Sequence, residues 1–268
     1  MFRDKTALIT GASSGLGASL AATFAASGAN LALFALDDAG LEETAERCRE
    51  HGVQVVTAAG DVGRPEDCQR VVEQAVAQFG TLDYLIACAG ISMWARFDEV
   101  ADVSLFRRLM ETNYLGIVHC VYYALPHLKK VGGMIVAISS IQGKIGVPLH
   151  TGYVASKHAV QGFFASLRME LGGSGVHVLT VLPHWLRGTN LRKEALGRDG
   201  SALGASRKKH SKESVSLEEC GEAIVEAIQK RKRELVIPGK LKFLPWLDLA
   251  NPKIVERLVS GAVREQDK

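Results

Sequence analysis

A chain of 268 residues, 47% hydrophobic and 23% charged, has the composition of one sizeable soluble globular domain, able to bury about three quarters of its unfolded surface. A net charge of +3 is too slight for bulk electrostatic attraction to nucleic acid. The five cysteines contain no C-x-x-C and the eight histidines no ligand spacing, so neither a disulfide framework nor a metal site is expected.

The chain opens on an apolar strand at residues 7–9 with no amino-terminal signal, and no apolar run reaches the length of a membrane span, so a cytoplasmic location is expected. The strand runs into Thr10-Gly11-Ala12-Ser13-Ser14-Gly15-Leu16-Gly17, followed by a helical pattern to Gly28. A glycine-rich turn between strand and helix exposes N–H groups that stabilise a pyrophosphate, although the spacing here is G-x-x-x-G-x-G. A second strand at 31–34 ends in Ala35-Leu36-Asp37-Asp38, ahead of a charged helix at 41–51. Asp37 is placed either to bond an adenosine ribose 2′-hydroxyl or to cap that helix, and no Arg or Lys stands nearby. The balance leans to NAD(H) over NADP(H).

A third strand at 53–58 precedes a helix at 65–79, with Pro65 suited to its first turn. A fourth strand at 84–88 closes on Ala89-Gly90. Helices are expected at 98–110 and 114–131, with Asn113 between them and Pro126 bending or ending the second. Residues 134–138 form a buried strand that delivers Ser139 and Ser140, and 153–171 a helix bearing Tyr153 and Lys157 on one face. A sixth strand at 177–182 leads to Pro183-His184-Trp185, and the polar, glycine-rich 187–216 segment is expected to be a mobile lid over the substrate. A helix at 217–230 and a strand at 234–237 follow. The basic runs 207–209 and 230–233 are expected to be solvated helix ends. The 240–268 extension, carrying Phe243, Leu244, Trp246 and Leu247, is expected to pack over the active site or onto a partner subunit, with interfacial membrane contact as the alternative.

Alternation of strand and helix with no linker or repeat predicts one Rossmann-like, doubly wound domain over residues 1–268: a mostly parallel seven-stranded sheet with helices on both faces. Tyr153 and Lys157, four apart, supply the chemistry. A phenol titrates near about 10, and a pKa unit is worth about 1.4 kcal/mol. One cation about 4 Å away contributes about 4 kcal/mol at an effective dielectric of about 20, so a single lysine is expected to make the phenol a usable acid and base near neutrality.

Together, Thr10-Gly11-x-x-x-Gly15-x-Gly17, Asp61-Val62, Ala89-Gly90, Asn113, Ser140 and Tyr153-x-x-x-Lys157 resemble the short-chain dehydrogenase/reductase family, in family order and spacing over nearly the whole chain. The run Ser139-Ser140-Ile141-Gln142-Gly143-Lys144 is most similar to the branch holding hydroxysteroid dehydrogenases and the dehydrogenase/reductase member 7 proteins. The resemblance implies that Tyr153 is the general acid/base, that Lys157 lowers its pKa and holds the nicotinamide ribose, that Ser140 bonds the substrate oxygen, and that Asn113 holds a water in a proton relay. It implies a cofactor cradle of Gly11, Ser13, Ser14, Gly15, Leu16 and Gly17, with Asp61 and Val62 at the adenine, Ala89 and Gly90 under the ribose, and Pro183 and Thr189 near the carboxamide. Three departures stand out: Ala87-Cys88 replaces an Asn-Asn pair whose amide braces the central strand, Pro183-His184 replaces Pro-Gly, and Leu36 stands where this branch often has a basic residue.

The expected activity is therefore interconversion of a secondary alcohol and a ketone, on a lipophilic or medium-sized small molecule, with NAD or NADP. A non-catalytic dinucleotide-binding sensor or scaffold is the alternative. A homodimer or homotetramer is implied by analogy with the family.

Overall fold

Seven short apolar segments supply the sheet: β1 (Thr6–Thr10), β2 (Asn30–Ala35), β3 (Val55–Ala59), β4 (Tyr84–Ala87), β5 (Met134–Ile138), β6 (His177–Pro183) and β7 (Glu234–Ile237). In the computed structural model, which describes residues 2–204 and 214–267, they pair in the order β3-β2-β1-β4-β5-β6-β7. Every pairing is parallel, for example Ile9 opposite both Leu33 and Ile86. A parallel sheet is covered on both faces, so its strands are continuously apolar. β1, β4 and β5 accordingly read as unbroken buried runs.

One face carries α1 (Gly15–Ala26), α2 (Asp38–Arg49) and α7 (Leu217–Gln229), over a core that includes Leu20, Phe24, Leu41 and Ile224. The other carries α3 (Pro65–Phe79), α5 (Gly116–Val131) and α6 (Thr151–Glu170), over Val72, Ile117, Val160 and Phe164. Strand order reverses between β1 and β4, and a ligand crevice opens at the carboxyl ends of the strands beside such a switch point.

The region before α5 departs from expectation. Instead of a helix from 98, there is a single 3₁₀ turn at Phe97–Glu99, and α4 spans Ser104–Met110. The backbone N–H of Ala101 is diverted to the Arg198 carbonyl at 2.8 Å, and the Asp102 carboxylate accepts from Ser104 N at 2.8 Å, which restarts the helix there. A π turn, Glu111–Leu115, then joins α4 to α5 and contains Asn113. Pro126 does not end the helix but is tolerated late within it, since α5 runs on to Val131. The carbonyl it deprives of a partner belongs to Tyr122, and both residues lie on the exposed side, where water can serve.

At the carboxyl end, a 3₁₀ turn leads into α8 (Leu244–Ala250) and α9 (Pro252–Asp267). No described residue of this extension lines the active-site cavity, so among them the expected packing over the site is not met. Phe243, Trp246 and Leu249 are exposed. No helix among the described residues is long and apolar enough to cross a membrane. The basic run 207–209 lies outside the described residues. Within 230–233, Lys230 pairs with Glu226 at the exposed end of α7.

Candidate active site

The crevice is a cavity of about 410 Å³ at the carboxyl edge of the sheet, running from the turn after β1 to the loops after β5 and β6. At one end stands the glycine turn. Gly11 has a φ of +66°, and a Cβ there would lie 2.8 Å from Ala89 Cα, so only glycine allows the β1 and β4 termini to approach. Ser14 is the N-cap of α1 but makes no side-chain cap bond, which leaves the first-turn N–H groups to the cavity. This is a cradle suited to a pyrophosphate.

Ser13, Ser14, Gly15, Leu16, Asp37, Asp61, Val62, Ala89, Gly90, Pro183 and Thr189 all line the cavity. Gly17 does not. A Cβ on it would collide with the Gly11 carbonyl oxygen, so its place is in the packing of α1 on the turn. Asp37 caps α2, its carboxylate accepting from Gly40 N at 3.2 Å, and it also lines the cavity. Asp61 is partly committed as well, accepting from Gly63 N at 2.8 Å. Thr189, one residue displaced from the family pattern, still reaches the glycine turn, its Cγ2 3.6 Å from where a Gly15 Cβ would stand.

The other end holds the polar set. β5 delivers Ser140 and the first turn of α6 delivers Tyr153, with Lys157 one turn later; all three are buried. Ser140 Oγ donates to the Pro183 carbonyl at 3.4 Å and accepts from Gln142 N at 3.2 Å. Lys157 Nζ donates to the Ile138 carbonyl at 3.0 Å and lies 5.6 Å from the Tyr153 ring centroid. Asn113, fully buried behind the cavity wall, accepts from Ile91 N at 2.8 Å and donates to Ile91 O and Ser156 Oγ, each at 2.9 Å. Its amide is therefore a brace between the post-β4 loop and α6. Gly90 makes room for this, since a Cβ there would stand 3.2 Å from Asn113 Oδ1 and 3.6 Å from Lys157 Nζ.

Electrostatics differ from the simple lysine argument. Burial pushes the Tyr153 phenol up to about 12, against the Ser140 hydrogen bond that pulls it down. Burial likewise pushes the Lys157 ammonium down to about 8. Desolvation outweighs attraction, because the ammonium is turned to the end of β5 and no carboxylate among the described residues pairs with it.

Several site residues have roles that the sequence motifs did not assign. Thr10 Oγ1 accepts from both Cys88 N and Ala89 N at 3.0 Å, bracing the β4 terminus where the sequence lacks the Asn amide. Trp94, His150, Trp185 and Arg192 form the wall beyond Tyr153, assembled from the loops after β4, β5 and β6. The 187–204 stretch is docked rather than extended: Leu196 N donates to Ser92 O and Trp94 N to Leu196 O, both at 2.9 Å.

The sequence matches the family model for short chain dehydrogenases over residues 5–199. It is 34% identical to 11-beta-hydroxysteroid dehydrogenase 1A of Arabidopsis thaliana over 257 residues, covering 94% of this chain and 73% of that protein. With 11-beta-hydroxysteroid dehydrogenase-like 4A of the same plant it shares 34% identity, covering 94% and 82% of the two chains. Among solved structures, a short chain dehydrogenase/reductase from Burkholderia phymatum in complex with NAD superposes with a TM-score of 0.83 at 22% identity, covering 94% of this chain and 95% of that one. An alcohol dehydrogenase from Thermococcus sibiricus complexed with 5-hydroxy-NADP gives 0.73 at 25%, covering 87% and 95%.

Proposed function

Because the chain belongs to the short-chain dehydrogenase family and is an oxidoreductase acting on CH–OH groups, we propose that it interconverts a secondary alcohol and a ketone, with Tyr153 as the proton donor and acceptor. The observation that carries this reading is one continuous cavity joining the glycine cradle to the buried Ser140, Tyr153 and Lys157. A nicotinamide dinucleotide, when bound, supplies hydride exchange.

The chain's residues handle position and the proton. Ser140 and Tyr153 grip the substrate oxygen, and Ser140 stabilises the negative charge that develops on it. In reduction, Tyr153 gives its phenolic proton to that oxygen; in oxidation, it takes the proton back. A phenol held at about 12 is a ready donor only when the phenolate it leaves is stabilised, and the Lys157 ammonium is the nearby cation able to do so. Asn113 fixes the backbone around Ile91 and the start of α6, so that Tyr153 and Lys157 keep their facing. Thr189 to Arg192 with Glu194 and Ala195 line the substrate side.

Both NAD and NADP remain open as cofactors at family level; Asp37 in the cavity wall, with the apolar Leu36 before it, favours NAD(H). The test is a fluorescence titration with both reduced cofactors, then a ketone panel with the tighter one, on the wild type and on Tyr153→Phe. Turnover by the wild type and loss of about a hundredfold or more in the variant are expected, with cofactor affinity kept. Full turnover by Tyr153→Phe would refute the mechanism, and tight cofactor binding with no turnover on any alcohol or ketone would point to a redox sensor instead.

A further inference from the structure

Beyond Tyr153 the cavity contains a polar group that the proton chemistry does not use. His150 is 2% exposed, immediately precedes α6, and lines the cavity. Its Nδ1 stands 2.8 Å from the Pro148 carbonyl, so a neutral ring carries its proton on Nδ1 and presents a bare lone pair at Nε2. Burial, opposed by that Pro148 hydrogen bond and aided by the Arg192 charge, lowers its pKa to about 4, which keeps the ring neutral. Among the described residues none donates to Nε2. Nε2 opens onto the cavity and is not sealed in the core, so a substrate that displaces solvent from it must supply a donor.

The ring is held in place with some force. Leu149, just before it, has a φ of +67°, a left-handed conformation that a leucine adopts at a cost of about 1–2 kcal/mol. Ala95 N fastens that strained residue by donating to its carbonyl at 3.0 Å. Aromatic rings then surround the imidazole: Trp94 at 4.9 Å, Trp185 at 5.9 Å and Tyr153 at 6.3 Å between centroids, all edge-on. The Arg192 guanidinium covers Trp94 at 4.5 Å. Strain gathered at a site wall signals a constraint other than stability. Indole walls bury a carbon skeleton, and the His150 acceptor beside them selects for a hydroxyl.

We propose that His150 sets substrate class: its Nε2 accepts a hydrogen bond from a second hydroxyl near the reacting carbon, so the preferred substrates are hydroxy ketones and the corresponding diols, with their carbon frame against Trp94 and Trp185. This rests on the alcohol–ketone reading above and adds a specificity that reading does not contain. A plain ketone leaves Nε2 without a donor, and a polar group buried unpaired is what makes such a pocket discriminate.

The experiment compares kcat/KM for 2-hydroxycyclohexanone and cyclohexanone in the wild type, His150→Phe and His150→Asn, each with the cofactor that binds more tightly. The wild type is expected to prefer the hydroxy ketone by about tenfold or more. His150→Phe, which keeps an aromatic ring, is expected to bring the ratio down by about tenfold, while His150→Asn, which keeps an acceptor, restores part of it. Differences in intrinsic reactivity between the two ketones cancel when variants are compared, and loose packing would lower both rates without moving the ratio. Turnover of both ketones with the same ratio in wild type and His150→Phe overturns the proposal alone. Turnover of neither ketone by the wild type overturns the alcohol–ketone reading, and this proposal with it.

Discussion

Replacing Lys157 by Met should abolish turnover and at the same time stabilise the fold near neutral pH. The ammonium is buried with no carboxylate partner, and its pKa falls from 10.5 to about 8 on folding. That fall corresponds to about 3 kcal/mol of destabilisation while both folded and unfolded forms compete for the proton, at pH values below about 8. The unfolded chain binds more protons than the folded one between about pH 8 and 10.5, so wild-type stability recovers as pH rises through that window. Methionine removes the charge and fills similar space, but it leaves the Ile138 carbonyl without the donor now 3.0 Å away, a loss of about 1 kcal/mol. The variant should therefore exceed the wild type by about 2 kcal/mol at pH 7, and the gap should vanish near pH 10. Urea titrations of both proteins at pH 7, 8, 9 and 10 measure it directly. A gap that stays constant over this range, or a variant less stable than wild type at pH 7, would refute the claim that burial rather than ion pairing dominates Lys157.

Thr10→Val keeps shape but removes the oxygen that receives Cys88 N and Ala89 N, and should destabilise by about 2–4 kcal/mol, whereas Thr10→Ser should be mild; chemical denaturation separates them. Leu36→Arg places a cation at the cavity wall on a residue that is 73% exposed, so the fold should tolerate it. It should shift the NADPH-to-NADH preference by about tenfold or more towards NADPH, read from cofactor titrations, and an unchanged ratio would show that residue 36 does not face the adenosine ribose.

Much of the fold was legible because its signals are local. Pro65 at the first turn marks α3, and the uninterrupted apolar runs mark β5 and β7, whose ends fall where the sequence places them. The π turn around Asn113 was not legible, and neither was the delayed start of α4. The delayed start of α4 goes with Ala101 donating to the Arg198 carbonyl, a partner about a hundred residues away in sequence.

The chemistry divides in the same way. Periodicity alone puts Tyr153 and Lys157 on one face of α6, because residues four apart share a helix face whatever surrounds them. Glycine at 11 and 15 likewise announces a backbone that side chains could not follow. Whether Lys157 acidifies Tyr153 could not be read from spacing. That depends on desolvation, set by the depth of the cavity and the direction of the ammonium towards Ile138. The enclosure of His150 by Trp94 and Trp185 is likewise tertiary: the three rings stand far apart in the chain, and only the parallel sheet, by bringing the loops after β4, β5 and β6 to one edge, makes them neighbours.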